Sequence, residues 1–134
     1  MSMDMVLLGQ LKRDIMLSVN TSMPAKVLSY DKDSREAKVQ PLYKSKEIGR
    51  DPVDLPVLEG VPALFQRFEF KYADSPGGER TATSEMVPVL QPGDVVLISF
   101  SQRELDDALS GQVVYASPNR LFPLTSAVIV GVIR

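Results

Sequence analysis

Apolar residues recur along this chain with two different periods. Over residues 3–20, MDMVLLGQLKRDIMLSVN, the side chains Leu8, Leu11, Ile15 and Val19 fall three and four positions apart, which lines one face of a helix. Ser2 suits the N-cap and Asp4 the positive end of the helix dipole, while Asn20 and Pro24 end the element. Beyond Pro24 the period drops to two. AKVLSYDKDSREAKVQPLYK alternates Val27 and Ser29 with Leu28 and Tyr30, turns at DKDS, and alternates again through Ala37 and Val39, which predicts a β-hairpin. Pro41 has no backbone donor, so the second strand should be an edge or be bulged there.

The remaining pattern continues in short β units. SKEIGRDPVD is polar and turn-rich and reads as a loop. LPVLEGVPALFQRF alternates around two prolines, as a strand broken by a bulge or bend does. EFKYADSPGGERTATSE, centred on Ser75-Pro76-Gly77-Gly78, predicts a long hairpin or a mobile excursion. Gln91-Pro92-Gly93-Asp94 is a turn signal that leads into a buried strand, Val95–Phe100, followed by a short helix over Ser101–Leu109. SPNRLFP is loop, and the β-branched run TSAVIVGVIR predicts a final core strand. No helix recurs between strands, which argues against a parallel sheet. The fold class expected is mainly β: a small five-to-six-stranded OB-like Greek-key barrel with an N-terminal α-helix and one short additional helix. Two units are expected, an N-terminal helix over 1–22 for packing or oligomer contact and a barrel over 23–134.

Composition narrows what such a barrel can do. At 134 residues there is room for one domain with its own core. The net charge of −2 and pI of about 5.1 weigh against nucleic-acid binding, which normally shows a basic balance. The chain has no Cys and no His. The usual zinc, iron and copper ligand sets are therefore excluded, as are Ser-His-Asp and Cys-His nucleophiles. No run approaches the roughly 18 apolar residues of a membrane span. MSMDMVLLGQLKRD lacks a basic lead and meets charge at Lys12, so it does not read as a signal peptide. No cofactor is expected.

Three clusters invite a chemical reading and each has a plainer one. Glu104, Asp106 and Asp107 could ligate a hard cation, but they lack the loop spacing of a Ca²⁺ site, and a solvated helix face accounts for them. Arg103 and Glu104 directly follow a buried strand, where an ion pair or cap is the natural role. Lys44, Lys46 and Arg50 beside Tyr43 could hold a single nucleic-acid strand on an OB barrel, yet Glu47 and Asp51 interrupt the patch. Ser75-Pro76-Gly77-Gly78 lacks the Gly-Lys-Ser/Thr ending of a phosphate loop and reads as a flexible tip. The helix either packs on its own domain or meets copies of itself or a neighbouring protein. Lys12 interrupts a strict heptad, which weakens the case for an autonomous coiled coil.

Several of these segments, in this order, resemble the N-terminal domain of phage membrane-puncturing spike proteins, the central spike of contractile tail baseplates. The family's A-x-V-x-S-Y-D and A-x-V-Q-P-L match Ala25 to Asp31 and Ala37 to Leu42. Its L-P-x-L-x-x-V-P-V-x-F matches Leu55 to Phe65, with Ala63 for the usual Val. Its P-x-x-P-G-D-x-V-L-L-x-F-S-x-R-x-L-D matches Pro88 to Asp106 with Gln91 as one extra residue. Near the end Arg120, Leu124, Ser126 and Ala127 fit a family pattern whose His is missing here. The resemblance implies a helix leading into an OB barrel, a homotrimer, and a mounting collar without chemistry. It also implies other tail or baseplate proteins as partners, namely a hub, needle or tip protein. Leu8, Leu11, Ile15, Arg103 and Glu104 are the contact residues expected. Residues 67–85 exceed the equivalent family loop, as a partner-specific insertion would. Family spikes continue into a β-helical needle, expected here in a longer parent chain or a separate protein.

Three functions follow as expectations. The first is a structural component of a phage or phage-derived tail baseplate or particle, made in the bacterial cytoplasm and placed in the virion tail. The second is a single-stranded nucleic-acid-binding OB module, which needs a basic groove. The third is a carboxylate hydrolase that cleaves cell wall, which needs two facing acids in a cleft.

Overall fold

Two proline-flanked turns and three β-bulges shape a single curled sheet. The computed structural model describes residues 3–45, 49–106, 108–115 and 121–134. A helix, α1 (Met3–Ser18), precedes nine strands: β1 (Ser22–Asp31), β2 (Glu36–Pro41), β3 (Lys44–Ser45), β4 (Val53–Asp54), β5 (Leu58–Pro62), β6 (Gln66–Ser75), β7 (Gly78–Met86), β8 (Val95–Phe100) and β9 (Ala127–Val132). Five of them form one sheet in the order β5-β2-β1-β8-β9, with every neighbouring pair antiparallel. The two outer strands meet in a parallel bridge between Ala63 and Ile129, where the Leu64 N–H donates to the Ile129 carbonyl at 3.1 Å. That contact rolls the sheet into a small OB-like barrel, as the alternating pattern predicts.

The bulges explain how so few strands close. In β1 the register runs Val27↔Val39 and then Ser29↔Lys38, so Leu28 is the extra residue. The consequence is a phase change: Met23, Ala25 and Val27 point inward, Ser29 is exposed, and Tyr30 packs against the core. Strict alternation from Val27 would have placed Ser29 inside. A second irregularity opposes Ala37 and Val39 to Val61 and Leu58, with Gly60 at φ +64 between them, which is the bend expected in the proline-rich strand. A third leaves Val130 between Gly131 and Ile129, opposite Leu97 and Ile98. Each bulge adds local twist and bends its strand. Pro41 sits where β2 has run past β5 and pairs only with Ala25 of β1, so its missing donor costs no ladder bond.

The core is aliphatic and small. Ala25, Val27, Val39, Val96, Ile98 and Ile129 are wholly buried, with Phe100 the one aromatic among the described core residues. At the lip, the Tyr30 hydroxyl donates to the Pro88 carbonyl at 3.0 Å. Burial is the main cause that pushes this hydroxyl above the ordinary tyrosine value of 10.0. Its stabilising contribution is complete below that value and is lost as pH rises past it.

Two turns carry the loops. The Asp94 N–H donates to the Gln91 carbonyl at 3.1 Å, the Asp94 carboxylate accepts from the Gln91 N–H at 2.9 Å, and Gly93 lies at φ +97. Pro then Gly is the type II order. Gly93 N–H and Asp94 C=O then both bond Val27 at 2.8 Å, which locks the turn onto the bulged strand. The second closure joins the ends of the segment between β8 and β9. Buried Ser126 donates its hydroxyl to the carbonyls of Pro123 at 2.6 Å and Ser101 at 3.0 Å.

One expected element is corrected. Ser101–Leu109 is not a continuous helix: it holds bends, a Leu109-to-Leu105 backbone bond and a 3-10 turn over Ala108–Ser110. The carbonyls that would begin a helix are used elsewhere, that of Gln102 by the Phe122 N–H at 2.8 Å and that of Ser101 by Ser126. The loop expected at 45–54 is closed by the short β3–β4 pairing, Lys44↔Asp54 and Ser45↔Val53. Lys46, Glu47, Asp107 and Arg120, and Ser2 as N-cap, lie outside the described residues. Residues 66–86 form the long hairpin.

Three substitutions test this account by urea unfolding. Ile98→Ala is expected to lose about 2–5 kcal/mol by opening a cavity at the barrel centre. Gly93→Ala is expected to lose about 1–2 kcal/mol from its left-handed backbone alone, since nothing lies within 4 Å of an added Cβ. Ser126→Ala removes the side-chain bond to the Ser101 carbonyl and is expected to lose about 0.5–1.5 kcal/mol. An unchanged midpoint for all three variants would contradict the packing described.

Candidate functional site

Every described side chain of α1, from Met3 to Met16, is exposed, and none of them belongs to the core. Leu8, Leu11 and Ile15, between 54 and 64% exposed, form its apolar stripe. Of the two expectations for this helix, packing on its own barrel is not what the described side chains do. Its root is nevertheless fixed. The Asn20 side-chain amide donates to the Phe122 carbonyl at 2.9 Å, and the Thr21 carbonyl accepts from the Phe100 N–H at 3.1 Å.

That root stands on the polar corner after β8. Glu104, half-buried, accepts from the Thr125 hydroxyl at 2.8 Å. Phe122 holds φ +51, a costly conformation for a bulky residue, and is fixed from both sides by Gln102 and Asn20. Arg103 is half-buried in the same corner. The structure thus brings Arg103 and Glu104 to the base of α1, whereas Leu8, Leu11 and Ile15 stand away on the helix. Asp106 is exposed. Among the described residues no group of three His, Cys, Asp or Glu side chains could hold a metal ion.

The basic loop does not form a groove of one sign. Lys44 pairs with Asp54 at 3.6 Å, and Lys38 with Glu59 at 3.5 Å, all largely exposed. Ser75 to Gly78 close a two-residue turn in which Pro76 precedes Gly77 at φ +82, again the type II order, so this tip is a tight turn.

The hairpin itself carries the feature that residue-by-residue reading overlooked. Phe68, Phe70 and Tyr72 of β6 are two apart and share one face, opposite Ser84, Ala82 and Arg80 of β7. They are 43–48% exposed, and the Phe70 and Tyr72 rings sit 6.1 Å apart. The other face is charged, with Arg67 bonded to Glu85 at 3.0 Å. The signal was present as FEFKY, a period-two aromatic run. At the hairpin's root, the guanidinium groups of Arg35 and Arg67 lie 4.0 and 5.3 Å from the centre of the Phe65 ring.

The arrangement can bind through apolar surface and has no assembled reactive centre among the described residues. No described helix is long and apolar enough to cross a membrane. Comparison with curated proteins returns no match. A family described as the phage protein Gp138 N-terminal domain matches residues 23–131, from the first inward residue of β1 to the penultimate residue of β9. The chain therefore belongs to the phage protein Gp138 N-terminal domain family.

Proposed function

We propose that this domain is a non-catalytic structural part of a phage or phage-derived contractile tail baseplate, the trimeric OB-like collar of its central membrane-puncturing spike. One observation carries the reading: α1 and the β6–β7 hairpin, neither of them part of the five-stranded sheet, expose apolar side chains, Leu8, Leu11 and Ile15 on the one and Phe68, Phe70 and Tyr72 on the other. Surface of this kind serves attachment. Membership of a phage protein family supports the setting, and the sequence resemblance to spike domains supports the place within it.

The mechanism is mechanical. A close-packed barrel is nearly incompressible, so thrust applied at one rim passes to whatever is mounted at the other. Interfaces between copies hold the collar by burying apolar area. The hub, needle or tip proteins are its remaining partners. The nucleic-acid reading has one feature in its favour, the aromatic face of the hairpin, since bases stack on such rings. The acidic pI and the alternation of Lys and Arg with carboxylates count against it.

Light scattering on the eluting protein tests the proposal. A mass near three times the 14.8 kDa chain is expected, unchanged by single-stranded oligonucleotide. A single-chain mass at all concentrations overturns the collar, and a shift on adding oligonucleotide that vanishes in high salt favours the binding module.

A further inference from the structure

Two elements of this chain have the same unsolved problem. The hairpin β6–β7 is a two-stranded sheet with one apolar face, and such a sheet alone is marginal in water. Helix α1 exposes the stripe Leu8, Leu11 and Ile15, with Met5, Val6 and Met16 exposed on its other sides, and none of these belongs to the core. A sheet face and a helix stripe are the two surfaces that layered folds bring together.

We propose that α1 of one copy docks on the aromatic face of the hairpin of the next copy, so that each copy gives a helix and receives one. The inference rests on the trimeric reading above and names the surface that builds it.

Length and charge both fit. Leu8 to Ile15 spans about 10 Å at about 1.5 Å per residue. Phe68 to Tyr72 spans about 13 Å at about 3.3 Å per residue. The helical repeat also puts Asp4 on the stripe, one turn before Leu8. On the hairpin, Arg80 is the cross-strand partner of Tyr72, at the tip end of the same face. One register therefore serves the three levels of this face, with Asp4 and Leu8 sharing the level of Tyr72 and Arg80. Asp4 faces Arg80, Leu8 faces Tyr72, Leu11 covers Phe70 and Ala82, and Ile15 reaches Phe68. Reversing the helix would put Asp4 beside Phe68 and Ile15 beside Arg80. Three half-exposed aromatic residues and three aliphatic ones supply roughly 600 Å² in total at each helix–hairpin contact, about 300 Å² per partner, and a closed ring repeats that contact once per copy. The hairpin's opposite face mixes Arg67, Glu69, Lys71 and Glu85, so no strong field draws a polyanion to this element.

The absence of cysteine makes the test clean. The full chain carrying Leu11→Cys and Phe70→Cys is oxidised, separated without reductant and weighed intact. Circular dichroism confirms that it folds as the parent does. More than half of the chains are expected in covalent multiples, while the pair Leu11→Cys with Thr83→Cys, on the hairpin's other face, gives several-fold fewer. Asp4→Arg is expected to lower the cross-link yield several-fold, and adding Arg80→Asp to restore it. A disulfide confined to single chains places the helix on its own hairpin and overturns the exchange between copies. No disulfide in a protein whose scattering mass equals three chains overturns the docking surface and leaves the trimer standing. A single-chain scattering mass removes the trimer itself. If the double-cysteine chain misfolds, the same readings are taken on Leu8→Cys with Tyr72→Cys.

Discussion

The fold depends on one meeting of strands, the parallel contact of Ala63 with Ile129. Without it the five strands would be an open sheet with two exposed edges and a half-covered apolar face. Four of the buried core residues are alanines, Ala25, Ala37, Ala63 and Ala127, beside Val and Ile, and side chains this small suit the interior of a five-stranded tube. The bulges at Leu28, Gly60 and Val130 supply the curvature, and the Gln91–Asp94 turn and the Ser126 hydroxyl hold the two long connections against the rim.

Because the barrel completes itself, the elements outside it are free to serve other surfaces. α1 and the hairpin are joined to the barrel by short, well-bonded roots, Asn20 to Phe122 on one side and Phe65 between arginines on the other. Their own faces remain apolar and open. In the proposed collar the division of labour is plain: the closed core gives stiffness, and the projections give attachment.

Much of this was legible in the residues. The period-two segments marked β1, β2, β8 and β9, and the Pro-Gly turns marked where they end. Pro41 marked the end of β2, where the strand has run past β5 and has β1 alone beside it. The helix was readable from Leu8, Leu11 and Ile15, but the exposure of these side chains was not, because such spacing looks the same whether the stripe is covered by its own domain or not. The bulge at Leu28 was hidden for a related reason: alternation is a local rule, and an inserted residue is decided by the strand opposite. The helix expected at Ser101–Leu109 failed because Ser126 and Phe122, some twenty residues on, take the carbonyls a first turn would use. The aromatic face of the hairpin is written in FEFKY as a period-two run, but whether such a face is covered or exposed depends on what packs against it, which spacing alone does not fix. The Glu104–Thr125 contact needed the three-dimensional return of the chain.

The stacked arginines at Phe65 have a geometric consequence. Guanidinium on an aromatic ring is a planar contact, more directional than an aliphatic one. It sets the pitch of the hairpin against the tube as a bracket sets a blade. In any closed circle of identical parts, the number of members follows from the turn each makes relative to the last. In the proposed collar, a contact that holds this pitch bears on how many copies close the circle.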